Sequence, residues 1–166
     1  VDVINDISAF AFDPALLDVL VQYRPGYVLM HCQGVPGTMQ QNPHYNDVVS
    51  EVTAFFEEKM NVLVNAGFPE ENILLDPGIG FGKKMEHNLA LMAHPEAWER
   101  LGRPSLMALS MKSVFNDLLG LPVESRGPAT QTATALCYTR GYAWHRVHDA
   151  RAASQALRLA DAFMNA

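Results

Sequence analysis

Strand-type and helix-type segments alternate along this chain, and few architectures accept that pattern. Five short β-type runs stand out: Val1–Ile4, Tyr27–Met30, Ile73–Leu75, Ser105–Leu109 and Ala143–Val147. The stretches between them carry apolar residues at helical spacing. Pro14 to Val21 predicts a helix behind Asp13, an N-cap followed by proline at the first helical position. Val48, Val49, Val52, Phe55, Phe56, Met60 and Leu63 form one stripe, which Gly67 ends. Further helices are expected over His87–Leu101, from Ser113 to Gly120, from Pro128 to Arg140 and from Ala150 to Met164. Parallel strands need a crossover, usually a helix, so this regularity predicts parallel βα units and an α/β fold. No repeat, low-complexity tract or linker interrupts the chain, and residues 1–166 read as a single domain.

Composition narrows the class. With 166 residues, 49% hydrophobic and 18% charged, the chain can bury a real core and is not disordered. A net charge of −6 argues against nucleic acid as a partner, while leaving room for one small anion pocket. Cys32 and Cys137 have neither disulfide-framework nor zinc-knuckle spacing, so a reducing compartment, the cytoplasm, is expected. No apolar run approaches the roughly 18 residues of a membrane span, and no signal-peptide pattern is present. The chain opens without a methionine on Val1-Asp2-Val3-Ile4, which reads as a beginning cut through an element.

The residues just past each strand are informative. The runs exit into Asn5-Asp6, into His31 with Gln33, into Asp76, into Ser110 with Lys112, and into Arg146 with His148. In parallel α/β folds, open or closed into a barrel, the carboxyl ends of the strands carry the site. Polar groups at all the exits predict a ring of ligand-facing side chains. Their mixture of carboxylate, amide, lysine, arginine and histidine suits an anionic ligand with a donor-rich edge. The third exit is the most specific: Asp76-Pro77-Gly78-Ile79-Gly80-Phe81-Gly82-Lys83. A carboxylate there can take paired N–H donors, and the glycines allow close backbone approach or φ > 0. Neither a Walker A loop nor a dinucleotide fingerprint fits, because Lys83 stands where a glycine is needed. The run also suits a plain turn that closes a strand. Strand parity puts Arg146 and His148 on one side and His145 on the other, which disfavours a histidine metal pair and suits a phosphate clamp. Ser113 opens a short helix, as a carboxylate-binding or a capping residue.

These segments together resemble dihydropteroate synthases. The matching motifs are Ile4-Asn5-Asp6-Ile7-Ser8, then Leu29-Met30-His31-Cys32-Gln33-Gly34 with Pro36 and Thr38-Met39-Gln40. They continue with Asp76 to Lys83, His87-Asn88, Ser110 with Lys112-Ser113, and Arg146-Val147-His148-Asp149. The resemblance implies a TIM-type parallel (β/α) barrel. It implies an enzyme of folate biosynthesis that joins 6-hydroxymethyl-7,8-dihydropterin diphosphate to p-aminobenzoate, releases diphosphate and is a sulfonamide target. Asn5 and Asp76 would hold the pyrimidine edge of the pterin, with Met30 and Phe81 lining the pocket. Lys112 would donate to the pterin carbonyl side. Arg146 would pack on the pterin ring and, with His148, hold the diphosphate, so Lys112, Arg146 and His148 carry the catalytic roles. Ser113 would receive the p-aminobenzoate carboxylate. The C–O bond of such a reaction breaks largely before the amine attacks, so no protein nucleophile is implied. Departures from the family pattern are Ala108 and Ala129 for glycine and Met111 for arginine.

The resemblance covers the fourth to eighth strands of that barrel, so an incomplete barrel of about five βα units is expected. Mg²⁺ is the implied cofactor, with no metal ligand in this chain, because the asparagine linked to it falls among the strands not matched. A homodimer is implied for the complete enzyme, and this chain alone is expected to be inactive. The alternatives are a degenerate, non-catalytic pterin-binding protein and a folate-binding methyltransferase domain. A doubly wound sheet binding a phosphate is the fallback if the resemblance is accidental.

Overall fold

Strand exits and helix caps in the computed structural model, which describes residues 1–166, follow from a few local rules. Five strands form: β1 (Val3–Asp6), β2 (Gly26–Met30), β3 (Ile73–Asp76), β4 (Leu106–Met107) and β5 (Trp144–His145). Seven α-helices lie between and after them: α1 (Leu16–Tyr23), α2 (Val48–Asn65), α3 (Met85–Ala93), α4 (Glu96–Glu99), α5 (Val114–Leu119), α6 (Gly127–Thr139) and α7 (Ala150–Met164).

Strands β1, β2 and β3 pair in parallel and in chain order, and so do β4 and β5. A parallel bridge between Leu75 and Ser105, with the Leu75 N–H donating to the Pro104 carbonyl at 3.0 Å, joins the two groups. Neighbours in sequence are therefore neighbours in space along the whole run. A doubly wound sheet would reverse its strand order part-way, and this one does not. The architecture is an arc of a TIM-type barrel, open between β1 and β5.

Alternation along the strands sorts the side chains into two faces. Tyr27, Leu29, Ile73, Leu75 and Met107 join the main core under the helices, together with Val52, Phe56, Leu63, Leu91, Trp98 and Tyr142. The register sets Asn5 beside Val28 and Leu74, and Met30 beside Asp76, on the opposite, concave face. At the amino ends of the strands, the Trp98 indole N–H of α4 donates to the Ser105 hydroxyl at 2.9 Å, tying α4 to the entry of β4.

Several boundaries differ from expectation. The helix expected over His87–Leu101 is two helices, α3 and α4, broken at His94-Pro95. His94 has φ −127° and ψ 53°, outside the helical region, as the residue before a proline tends to be. Asp13 does not cap α1; its carboxylate accepts from the Ala15 N–H at 3.1 Å and the helix begins later, at Leu16. The last strand ends at His145, so strand parity does not extend to His148. By contrast, Asp47 caps α2, accepting from the N–H groups of Val49 and Ser50.

Candidate active site

At the carboxyl ends of the strands lies a cavity of about 450 Å³ lined by Asn5, Ile7, Met30, Asp76, Gly78, Ile79, Phe81, Ala108, Lys112 and Arg146. Every strand exit contributes to it. β1 supplies Asn5, β2 supplies Met30, and β3 supplies Asp76 with the loop behind it. The exits of β4 and β5 supply Lys112 and Arg146.

Asp76 sits at its floor and is 2% exposed. One carboxylate oxygen accepts from the Gly78 N–H at 2.7 Å, which leaves the rest of the group free of protein donors. Burial pushes the Asp76 carboxyl up to about 6, against the Gly78 amide and the cations Lys112, Lys83 and Arg146. Burial likewise holds Lys112 below its ordinary value, opposed by Asp76 and reinforced by Arg146. The Lys112 ammonium lies 4.2 Å from the centroid of the Phe81 ring, a cation–π contact that fixes both side chains. The cavity thus has an apolar slot, a buried acceptor at the bottom and two cations beside it. Such a slot can take a flat, donor-rich heterocycle with an anionic group attached.

The sequence-expected residues divide. Asn5, Met30, Asp76, Phe81, Lys112 and Arg146 meet in this cavity. Ser113 does not line it, and its side chain makes no capping bond, so the simple N-cap reading of Ser113 is wrong. His148 is also outside the wall; its Nδ1 pairs with the Ser110 hydroxyl at 2.8 Å, joining the exits of β4 and β5. The ring of ligand-facing groups is therefore smaller than expected. Asp6 turns away and accepts from Ser8, Phe10 and the Tyr27 hydroxyl; burial opposes its ionisation, yet these bonds keep it below the usual carboxylate range. Gln33 braces its own loop by exchanging bonds with the His44 backbone. His31 is buried against Lys83.

Glycines of the third exit serve loop-on-loop contact. A Cβ at Gly78 would lie 1.9 Å from the His31 carbonyl oxygen, and one at Gly82 would lie 2.2 Å from that of Gln33. Both residues have positive φ. Sequence reasoning passed over Lys83, whose buried, fully bonded environment has no local signature beyond its place after Gly82. It also passed over Ile7, which shares the parity of Asn5, and Ile79, which lies beyond the end of β3 and off the parity of Asp76.

A family model described as "Pterin binding enzyme" matches residues 1–148. The chain belongs to the pterin-binding enzyme family. Among pterin-binding enzymes, it is 37% identical over 165 residues to the dihydropteroate synthase of Haemophilus influenzae, covering 99% of this chain and 60% of that protein. The Yersinia pestis dihydropteroate synthase, solved with a sulfonamide drug complex, matches with a TM-score of 0.94 at 32% identity, over 98% of this chain and 59% of that one. The Xanthomonas albilineans dihydropteroate synthase, solved in complex with 7,8-dihydropteroate, matches with a TM-score of 0.90 at 36% identity, over 99% and 60%. The chain spans about three fifths of the length of these relatives.

Proposed function

We propose that this chain supplies the pterin and diphosphate subsites of a dihydropteroate synthase, a transferase of folate biosynthesis that condenses 6-hydroxymethyl-7,8-dihydropterin diphosphate with p-aminobenzoate. The observation that carries the reading is the cavity itself: a buried carboxylate with a free face, beside Lys112 and Arg146, in a member of this family. In this reading Asp76 accepts two N–H donors from the pyrimidine edge of the pterin, and Asn5 completes that edge. Charge-assisted pairing of this kind is strongest where water is excluded. Met30 and Phe81 close on the ring faces. Lys112, oriented by the Phe81 ring, donates to the pterin carbonyl side. Arg146 packs on the ring and offers donors to the diphosphate.

Negative charge accumulates on diphosphate as its C–O bond to the pterin methylene breaks. Fixed cations stabilise that charge without reorganising, and this is the catalytic contribution assigned to Lys112 and Arg146. His148, tied to Ser110 at the adjacent exit, adds a further donor once diphosphate extends outward. The amine of p-aminobenzoate then attacks the exposed methylene carbon and loses a proton, with the aryl carboxylate held at Ser113. Sulfonamides would compete for that aryl subsite.

Mg²⁺ belongs to the same proposal as the companion of the diphosphate. No three histidine, cysteine, aspartate or glutamate side chains of this chain come together to hold a metal ion. No helix is long and apolar enough to cross a membrane. A cytoplasmic homodimer completes the reading.

The test is steady-state formation of 7,8-dihydropteroate by the protein carrying this chain, supplied with both substrates and Mg²⁺. Stoichiometric diphosphate release, inhibited by a sulfonamide in competition with p-aminobenzoate, is the expected result. Pterin binding without any release would support the degenerate, non-catalytic alternative. Methyl transfer from a folate would support the methyltransferase alternative.

A further inference from the structure

Lys83 is the most deeply buried cation that the proposed chemistry leaves without a role. It is 2% exposed and lies behind the cavity wall rather than in it. Its ammonium donates to the carbonyls of Gly78 and Phe81, each at 3.0 Å, and lies 2.9 Å from Nδ1 of His31, with the His31 carbonyl at 3.4 Å. A lysine ammonium has three N–H donors. Three near acceptors use them all when the His31 ring is neutral and carries its proton on Nε2. Burial first, and the Lys83 charge second, push the His31 ring down to about 3, which agrees with a neutral ring.

These contacts tie the exit loop of β2 to the exit loop of β3. The same junction is sewn at other points: the Tyr45 hydroxyl donates to the Gly82 carbonyl at 2.9 Å, and Gln40 accepts from the Lys83 N–H at 3.0 Å. Gly78 and Phe81 both line the cavity, and Phe81 in turn supports the Lys112 ammonium. Without the ammonium the Phe81 carbonyl would lose its donor, while the Gly78 carbonyl would keep only the Phe81 N–H at 3.0 Å, and the loop would have to shift to hydrate the freed carbonyl. We propose that Lys83 is a positioning residue, a buried staple that fixes the β2 and β3 exit loops against each other and so holds the Phe81 ring and the Gly78 backbone at the pterin-facing wall. This rests on the pterin reading of the cavity.

Lys83 also bears on charge. The titratable and charged groups around it are His31 and Cys32 from the β2 exit, Asp76 from β3, His87 from α3 and Lys112 from the β4 exit. Asp76 itself faces Lys112, Lys83 and Arg146. Burial pushes the Lys83 ammonium down to about 7, so it is a cation in the acid range, where it is one of the three that favour the Asp76 anion; removing it should move the acid limb of pterin binding to higher pH. A side chain that merely fills space would not move that limb.

The experiment is calorimetric titration of the protein carrying this chain with 6-hydroxymethylpterin, which lacks the diphosphate, across the acid range. Lys83→Met should weaken binding about ten- to a hundredfold, the scale of loss when a binding wall shifts by about an ångström. It should also raise the pH of the acid limb. Tyr45→Phe removes one bond of the same junction and no charge, so it should weaken binding about two- to fivefold and leave the acid limb in place. If the native protein binds the pterin while Lys83→Met binds it equally well with an unmoved limb, the staple is overturned and the pterin reading stands. If the native protein binds no pterin, the pterin reading falls and the staple with it. Should Lys83→Met fail to fold, Tyr45→Phe decides, and unchanged affinity in that variant overturns the proposal.

Discussion

Burial drives Asp76 toward its protonated form while the Gly78 amide and the three nearby cations favour the anion. The folded value, about 6, lies above the ordinary carboxylate value of 3.8, so the native state holds a proton that the unfolded chain releases. Stability from this group is therefore fully present below about pH 4 and is lost as pH rises through about 6. At neutral pH the ionised group costs the fold on the order of 2–3 kcal/mol. Asp76→Asn keeps an acceptor for Gly78 and removes the charge, so it should stabilise the protein at pH 7.5 by on the order of 1–3 kcal/mol and have little effect at pH 4. It should also weaken pterin binding by about 2–4 kcal/mol, because one acceptor becomes a donor facing a donor. Denaturation at the two pH values and calorimetry with a pterin lacking diphosphate read both effects. Unchanged pterin affinity would reduce Asp76 to a cap of its own loop. Met111 presents a different case. Its backbone is left-handed, with φ 62°, its N–H donates to the Thr130 hydroxyl at 3.3 Å and its carbonyl accepts from Arg126 at 2.9 Å. Met111→Arg would place a partly exposed cation next to Lys112-Ser113, and should lower KM for p-aminobenzoate about two- to fivefold with little change for the pterin diphosphate. The gain should shrink at high salt. Kinetics at two ionic strengths decide it, and a damaged pterin constant would contradict the subsite assignment.

Among elements, the exit loops of β2 and β3 carry most of the site, and they are built on each other. Gly82 has φ 63° and its missing Cβ makes room for the Gln33 carbonyl. Gly82→Ala must shift one loop or the other, and should destabilise the protein by about 2 kcal/mol or more while weakening the pterin. Thermal denaturation with pterin titration checks this; a variant with native stability and affinity would mean that the two loops tolerate separation. The helices show which local signals sufficed. The Val48–Leu63 stripe announced α2 correctly, because its apolar period runs the length of the helix, and the structure adds the Asp47 cap. The break between α3 and α4 was also written in the chain, at Pro95, yet the apolar spacing on either side masked it. Strands β4 and β5 are only two residues long, so parity counted through Ala143–Val147 ran past the pleat that justifies it.

For the molecule as a whole, five parallel strands in chain order make an arc whose outer strands have unpaired edges. Val3 of β1 and Trp144 of β5 are 55% and 57% exposed, whereas Val28 of the central β2 is 3% exposed. A TIM-type barrel closes with eight strands. The 166-residue chain by itself should therefore form no dihydropteroate at a measurable rate and should be prone to association through its strand edges. Diphosphate release with both substrates and Mg²⁺, together with sedimentation of the purified chain, tests this. Robust turnover by a monomer would contradict it.

Much about this protein was determined by its sequence alone. Apolar periodicity is a local property, and it delivered the parallel βα alternation. Polar residues at the strand exits, Asp76 before a glycine run above all, included Asn5, Asp76, Lys112 and Arg146, which meet in one cavity, and the family resemblance added Met30 and Phe81. Only the tertiary structure decided which exit residues turn inward. Asn5 and Asp76 face the cavity while Asp6, His31 and Gln33 serve their loops, because facing depends on register against the neighbouring strand and on where each pleat stops. The position of Lys83 was likewise beyond sequence reasoning. Its acceptors come from two loops separated by more than thirty positions in the chain, and a buried cation among backbone carbonyls exists only once both loops have closed around it.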